Sequence, residues 1–110
     1  MGLVFFRTAS LEDVVRFYTE RVGARVWLEQ PDCTILEHGG FRLGFCAGDE
    51  PETEGTVTFV YPGRAGVDAA HDRLSELADD TPRYNDRYDI YQFFATDPEG
   101  RTVEFQSFEH

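Results

Sequence analysis

Lysine is missing from this chain: all 10 basic residues are arginine, set against 21 aspartates and glutamates, for a formal net charge of -11. Such a surface repels phosphate backbones and anionic lipids, so neither nucleic acid nor a membrane is an expected partner. The acidity is spread along the chain and forms no tail. Even acidity without lysine fits a protein working in molar salt, where charges are screened within about 3 Å; the alternative is an ordinary acidic enzyme from a GC-rich organism. Long apolar runs are also missing; none approaches the ~20 residues that span a bilayer. The stretch Met1 to Arg7 has neither the basic start nor the long apolar core of a secretory signal. A soluble, cytoplasmic protein is the expectation.

Cysteine and histidine are scarce. There are 2 cysteines, Cys33 and Cys46, and 3 histidines, His38, His71 and His110. No H-x-x-x-H or C-x-x-C spacing occurs, so no short motif points to a metal centre.

What the 110 residues do contain is one pattern, written twice. Leu3 to Thr8 reads as a strand. Ser10 then opens a helix, with Asp13 three residues on as an approximate capping box. Leu11, Val14, Val15, Tyr18 and Val22 fall at helical spacing, and Gly23 stops the run. Three strands follow, at 24–29, 32–38 and 41–46, with Gly39-Gly40 as a two-residue hairpin turn. The polar stretch 47–55 reads as a linker. The order then restarts: a strand at 56–61, a helix carrying Val67, Ala70, His71, Leu74, Leu77 and Ala78, a weak strand at 83–88, and strong strands at 90–96 and 101–107.

The expected class is α+β, a single domain over 1–110. Its two βαβββ repeats, about 3–46 and 56–108, form a curved, mostly antiparallel eight-stranded sheet. Each helix covers only one face of its four strands. The helices then lie outside, and the other face encloses a cup. Open sheet edges make a homodimer the expected assembly.

Strand alternation names the residues of the uncovered face. The Gly39-Gly40 turn sets Leu36 against Leu43 and Thr34 against Phe45 on the helix side. On the other side it sets Glu37 against Arg42, Ile35 against Gly44, and Cys33 against Cys46. Phe5 and Arg7 join that face from the first strand, with Thr56, Thr58 and Val60 from the fifth. The last strand supplies Thr102, Glu104 and Gln106. Pairing across Asp97 to Gly100 adds Tyr91 and Phe93. The candidate ligand-binding residues are therefore Phe5, Arg7, Glu37, Arg42, Thr58, Tyr91, Phe93 and Gln106. Four of them have a plainer reading: Glu37 and Arg42 as a cross-strand ion pair on a solvated face, and Tyr91 and Phe93 as core or interface residues. Cys33 and Cys46 stand opposite each other where strands approach closely. A bond between them is geometrically possible, but inside a cell two free thiols are expected.

Two stretches resemble the vicinal oxygen chelate class, the glyoxalase/bleomycin-resistance/dioxygenase proteins. One is the helix from Leu11 to Gly23, with its Phe17-Tyr18 pair before the Val22-Gly23 stop. The other runs from Phe94 to Phe105, with the turn Asp97-Pro98-Glu99-Gly100 and the ending Val103-Glu104-Phe105. The resemblance covers essentially the whole chain. It implies four metal-ligand positions, here occupied by Leu3, Gly44, Thr56 and Glu104, of which only Glu104 is a ligand type. A single carboxylate does not hold a divalent ion, so no metal and no other cofactor is expected. The resemblance then implies a protein with a degenerate metal site that binds a small organic molecule, as relatives sequester bleomycin-type antibiotics. An alternative is a metal-independent lyase or isomerase, with Glu104 as catalytic base and Arg42 or Arg7 stabilising an enolate. A metal-dependent glyoxalase or dioxygenase ranks below both.

Overall fold

The computed structural model describes every residue from Met1 to His110. The chain divides into two compact units, Met1–Glu54 and Gly55–His110. Each repeats the order strand, helix, strand, strand, strand. The fold is α+β, built of two βαβββ repeats, and the eight strands form two four-stranded mixed sheets. No helix is long and apolar enough to cross a membrane.

In the first unit the strands are β1 (Val4–Thr8), β2 (Arg25–Gln30), β3 (Cys33–His38) and β4 (Phe41–Ala47). Their order in the sheet is β1-β4-β3-β2, with β1 parallel to β4 and the other pairs antiparallel. The glycine turn does what its composition dictates. Gly39 and Gly40 both have positive φ (55° and 84°), the geometry of the tight hairpin turn that glycine adopts without penalty. The register from Cys33↔Cys46 to His38↔Phe41 is the one that this turn imposes.

The helix α1 (Leu11–Arg16) widens into a π-helical stretch over Phe17–Val22 and ends at Gly23, φ 93°. Ser10 makes no side-chain cap bond, so the capping box does not form; Glu12 and Asp13 still favour the start through the helix dipole. Where the helix widens, Thr19 donates its hydroxyl to the Val15 carbonyl at 2.8 Å, supplying a donor while the backbone ladder shifts. Val14, Tyr18 and Val22 are fully buried, and the Tyr18 ring stacks on Phe45 of β4 at 5.1 Å. Burying each such side chain is worth roughly 1.5–3 kcal/mol.

The second unit has β5 (Thr56–Val60), α2 (Arg64–Leu74), β6 (Arg83–Asn85), β7 (Ile90–Thr96) and β8 (Thr102–Phe108). The sheet order is β5-β8-β7-β6, again with one parallel pair, β5 with β8. Val67, Ala70 and Leu74 of α2 are buried over a stack of Phe59, Phe105 and Phe93, with ring centroids 5.6 and 4.8 Å apart. His71 meets Phe93 edge-on at 5.0 Å, so it serves helix packing.

The last hairpin departs from expectation. Thr96 pairs with Thr102, leaving five residues in the connection, not four. The additional residue is Arg101, folded inward to 1 % exposure and paired with Asp97 and Glu99. Moving the register by one residue turns every β7 side chain to the other face. Tyr91 and Phe93 therefore do not accompany Glu104. Phe93 faces Phe105 in the core under α2, and the Tyr91 hydroxyl donates to Asp68 of α2 at 2.7 Å.

The cysteines also differ from expectation: Cys33 and Cys46 form a disulfide, with Cα atoms 4.1 Å apart. The expectation of free thiols came from the redox habits of cell interiors; the directly opposed β3–β4 pair brings the two sulfurs together.

Candidate functional site

Strand β8 is an inner strand of its sheet, between β5 and β7. On its helix-free side it presents Thr102, Glu104 and Gln106. Register places Thr58 of β5 and Phe94 of β7 beside Glu104, and Gln92 beside Gln106. The half-buried Glu104 carboxylate is held from both sides. Thr58 donates its hydroxyl to Oε1 at 2.9 Å, and the Gln92 amide donates to Oε2. Gln92 is itself fixed, accepting from the Asn85 amide of β6 at 2.8 Å. Side chains from all four strands thus form one chain of hydrogen bonds that ends on a single carboxylate. No arginine pairs with it among the ion pairs of this unit. Each carboxylate oxygen keeps a further lone pair for an incoming donor. Next to it, Gln106 is only 8 % exposed and its buried Oε1 accepts no hydrogen bond.

The helix-free face of the first unit is of a different kind. Phe5 lies beside Gly44, with its ring over the glycine. Glu37 sits between two guanidinium groups, Arg25 at 2.5 Å and Arg42 at 3.0 Å. The hydrogen bond from Arg25, then the charges of Arg25 and Arg42, hold the Glu37 carboxyl below the usual carboxylate range. Arg42 also lies over the Trp27 ring at 4.3 Å. Arg7 turns to Glu52, whose carboxylate accepts from the Arg7 backbone N–H at 2.7 Å and from its guanidinium at 3.4 Å. A separate depression of about 440 Å³ opens on the helix side, between α1 and the β2–β3 edge, lined by Val15, Arg16, Thr19, Glu20, Glu29 and Thr34 among others. It gathers none of the expected residues.

Of those residues, Thr58, Glu104 and Gln106 come together in the second unit, and Phe5, Glu37 and Arg42 share a face in the first. Tyr91 and Phe93 belong to the helix side. Sequence reasoning missed Gln92, Phe94 and Asn85. No local signal marks them: Gln92 and Phe94 reach the face because the Asp97–Arg101 connection holds five residues, not four.

No protein-family model and no curated protein sequence matches the chain. Solved structures do. A glyoxalase/bleomycin resistance protein/dioxygenase from Alicyclobacillus acidocaldarius aligns with a TM-score of 0.81 at 16% identity, over 100% of this chain and 92% of that one. A glyoxalase/bleomycin resistance protein/dioxygenase from Nocardioides aligns at 0.74 and 19% identity, over 96% and 80%. A lactoylglutathione lyase from Agrobacterium tumefaciens aligns at 0.78 and 18% identity, over 97% and 92%. This chain has the vicinal oxygen chelate fold. At these identities the likeness is one of architecture.

The vicinal oxygen chelate fold raises the question of a metal. The ligand positions carried over from the resemblance shift when read from the observed register. The neighbour of Glu104 on β5 is Thr58, not Thr56, and the neighbour of Gly44 on β1 is Phe5, not Leu3. Neither shift adds a metal-binding side chain. No three His, Cys, Asp or Glu side chains converge anywhere, and the Phe5 ring fills the space above Gly44. One carboxylate flanked by a hydroxyl and an amide is not a donor set that holds a divalent cation against water.

Proposed function

We propose that this protein binds a small organic molecule on the helix-free face of its second unit, without a metal ion and with Glu104 as anchor. The observation that carries this reading is the fixed carboxylate, held on both oxygens by Thr58 and Gln92. A side chain ordered by its two neighbouring strands is preorganised to meet a ligand without a further loss of entropy. Phe94 beside it offers an apolar surface. Base catalysis by Glu104 has less support, because it needs a partner for the developing oxyanion. The arginines expected in that role are engaged, Arg42 by Glu37 and Arg7 by Glu52.

The test is a fragment screen by thermal shift, run beside zinc, nickel, manganese and ferrous iron. Organic fragments that stabilise the wild type and lose their effect on Glu104→Gln support the reading. A stoichiometric metal in the purified protein, or a rise of several degrees with one ion, overturns it. The proposal extends to a homodimer. Val26, Trp27 and Leu28 stand exposed in a row on the edge strand β2, an apolar surface of the kind that a second copy covers. Sedimentation at several concentrations checks this, and a monomer throughout refutes it.

A further inference from the structure

We infer that the ligand selected by this face is an organic cation with N–H donors, an ammonium, amidinium or guanidinium on an aromatic body. This deepens the reading above and rests on it. Three observations carry it.

First, the Glu104 charge is held only by neutral donors, and no arginine forms an ion pair with it. Thr58 and Gln92 donate to Glu104, Asn85 donates to Gln92, and the Thr96 hydroxyl goes to Asp79. What Glu104 has left to offer is its charge and its acceptor capacity. Second, that capacity is doubled. Gln106 lies two residues from Glu104 on the same side of β8, roughly 7 Å along the strand, and its Oε1 has no donor although the residue is more than nine-tenths buried. A buried acceptor without a partner is a cost that an incoming N–H removes. Rotation about the last side-chain bond of Gln106 presents this oxygen to the ligand. Third, Phe94 stands directly across from Glu104 on β7 and remains partly exposed. An aromatic ring beside a carboxylate suits a planar cation: the fork of an amidinium pairs with the carboxylate, and its ring or charge rests on the phenyl face. An anion meets the Glu104 charge, which no arginine offsets. A neutral amide donates one N–H to the carboxylate where the amidinium fork donates two and adds its own charge.

The experiment titrates the intact protein with benzamidinium, benzamide and benzoate at one ionic strength. Affinity is followed by calorimetry and position by backbone amide shifts. Benzamidinium is expected to bind and to shift resonances at Thr58, Gln92, Phe94, Glu104 and Gln106. Benzamide and benzoate are expected to bind at least about tenfold more weakly, the loss of one charge-assisted hydrogen bond. Glu104→Gln abolishes this preference. Gln106→Leu weakens benzamidinium about threefold without lowering the melting temperature, because an unsatisfied polar group is removed. Benzoate or benzamide binding as well as benzamidinium overturns the cation class and leaves the small-molecule site standing. Benzamidinium binding that ignores both substitutions also overturns it, since the cation then sits elsewhere on an acidic surface. If no organic probe of any charge shifts this face, the proposed function itself fails.

Discussion

The ring of Phe5 occupies the space that a side chain at position 44 would need: a Cβ placed on Gly44 comes within 2.4 Å of Phe5 Cδ1. The two residues are partners in the parallel pairing of β1 with β4. Gly44→Ala therefore forces the ring aside and is expected to cost about 1–2 kcal/mol. Phe5→Ala removes the obstacle, so the double variant should lose less than the sum of the two single losses. Urea unfolding of the four proteins measures the coupling. Strict additivity would show that the ring yields freely.

The Cys33–Cys46 bond predicts a simple count. Denatured without reductant, the protein should show no free thiol, and after reduction it should show two. Replacing both cysteines with serine should lower stability by up to about 3 kcal/mol, the entropy of a short closed loop. The β3–β4 ladder stays in place, so the variant should still melt cooperatively. Two reactive thiols in the untreated chain would refute the bond.

Glu37 predicts a pH dependence of definite sign. Its folded-state pKa lies below the unfolded one, through the hydrogen bond and charge of Arg25 and the charge of Arg42. The stabilisation is therefore fully present above the ordinary glutamate value of about 4.3 and disappears as the pH falls through the folded value. Glu37→Gln should melt somewhat below the wild type at pH 7, and the two curves should converge in acid. A gap that stays constant across that range would mean that the carboxylate charge contributes nothing.

Arg101 is the buried cation of the second unit, 1 % exposed, with Asp97 Oδ2 at 3.1 Å and Glu99 Oε1 at 2.9 Å. Arg101→Met leaves two carboxylates without a counter-charge and should cost about 3–5 kcal/mol. For a domain of this size that lowers the melting temperature by ~15 °C. Arg101→Lys should recover only part of the loss, because an ammonium lacks the planar fork. A surface arginine would show neither effect, so an unchanged melting curve decides against the buried triad.

Element order was legible in the residues because apolar periodicity and glycine stops report it directly. The first hairpin was legible to the residue, since two adjacent glycines leave only one way to close it. The second was not. An arginine after a turn reads as the start of an exposed strand, and nothing local reveals that Arg101 folds back onto Asp97 and Glu99. That one residue sent Tyr91 and Phe93 to the wrong face and hid Gln92 and Phe94. The widened turn at Phe17–Val22 was hidden for a different reason: a helix with one altered turn keeps nearly the same apolar spacing. Glu104, Thr58 and Gln106 were found because β5 and β8 alternate cleanly. The hydrogen bonds that orient Glu104 depend on cross-strand register, which spacing within one strand does not encode.

The Asp97–Arg101 connection acts as a phase setting for β7. Removing one of its residues would exchange Gln92 and Phe94 for Tyr91 and Phe93 as the companions of Glu104, with no strand residue altered. An amide and a phenyl ring would give way to a phenol and a different phenyl ring, and the carboxylate would lose its clamp. In this fold a single-codon deletion in a turn can rewrite the chemistry of the face in one step, which makes loop length as inheritable a determinant of recognition as any side chain.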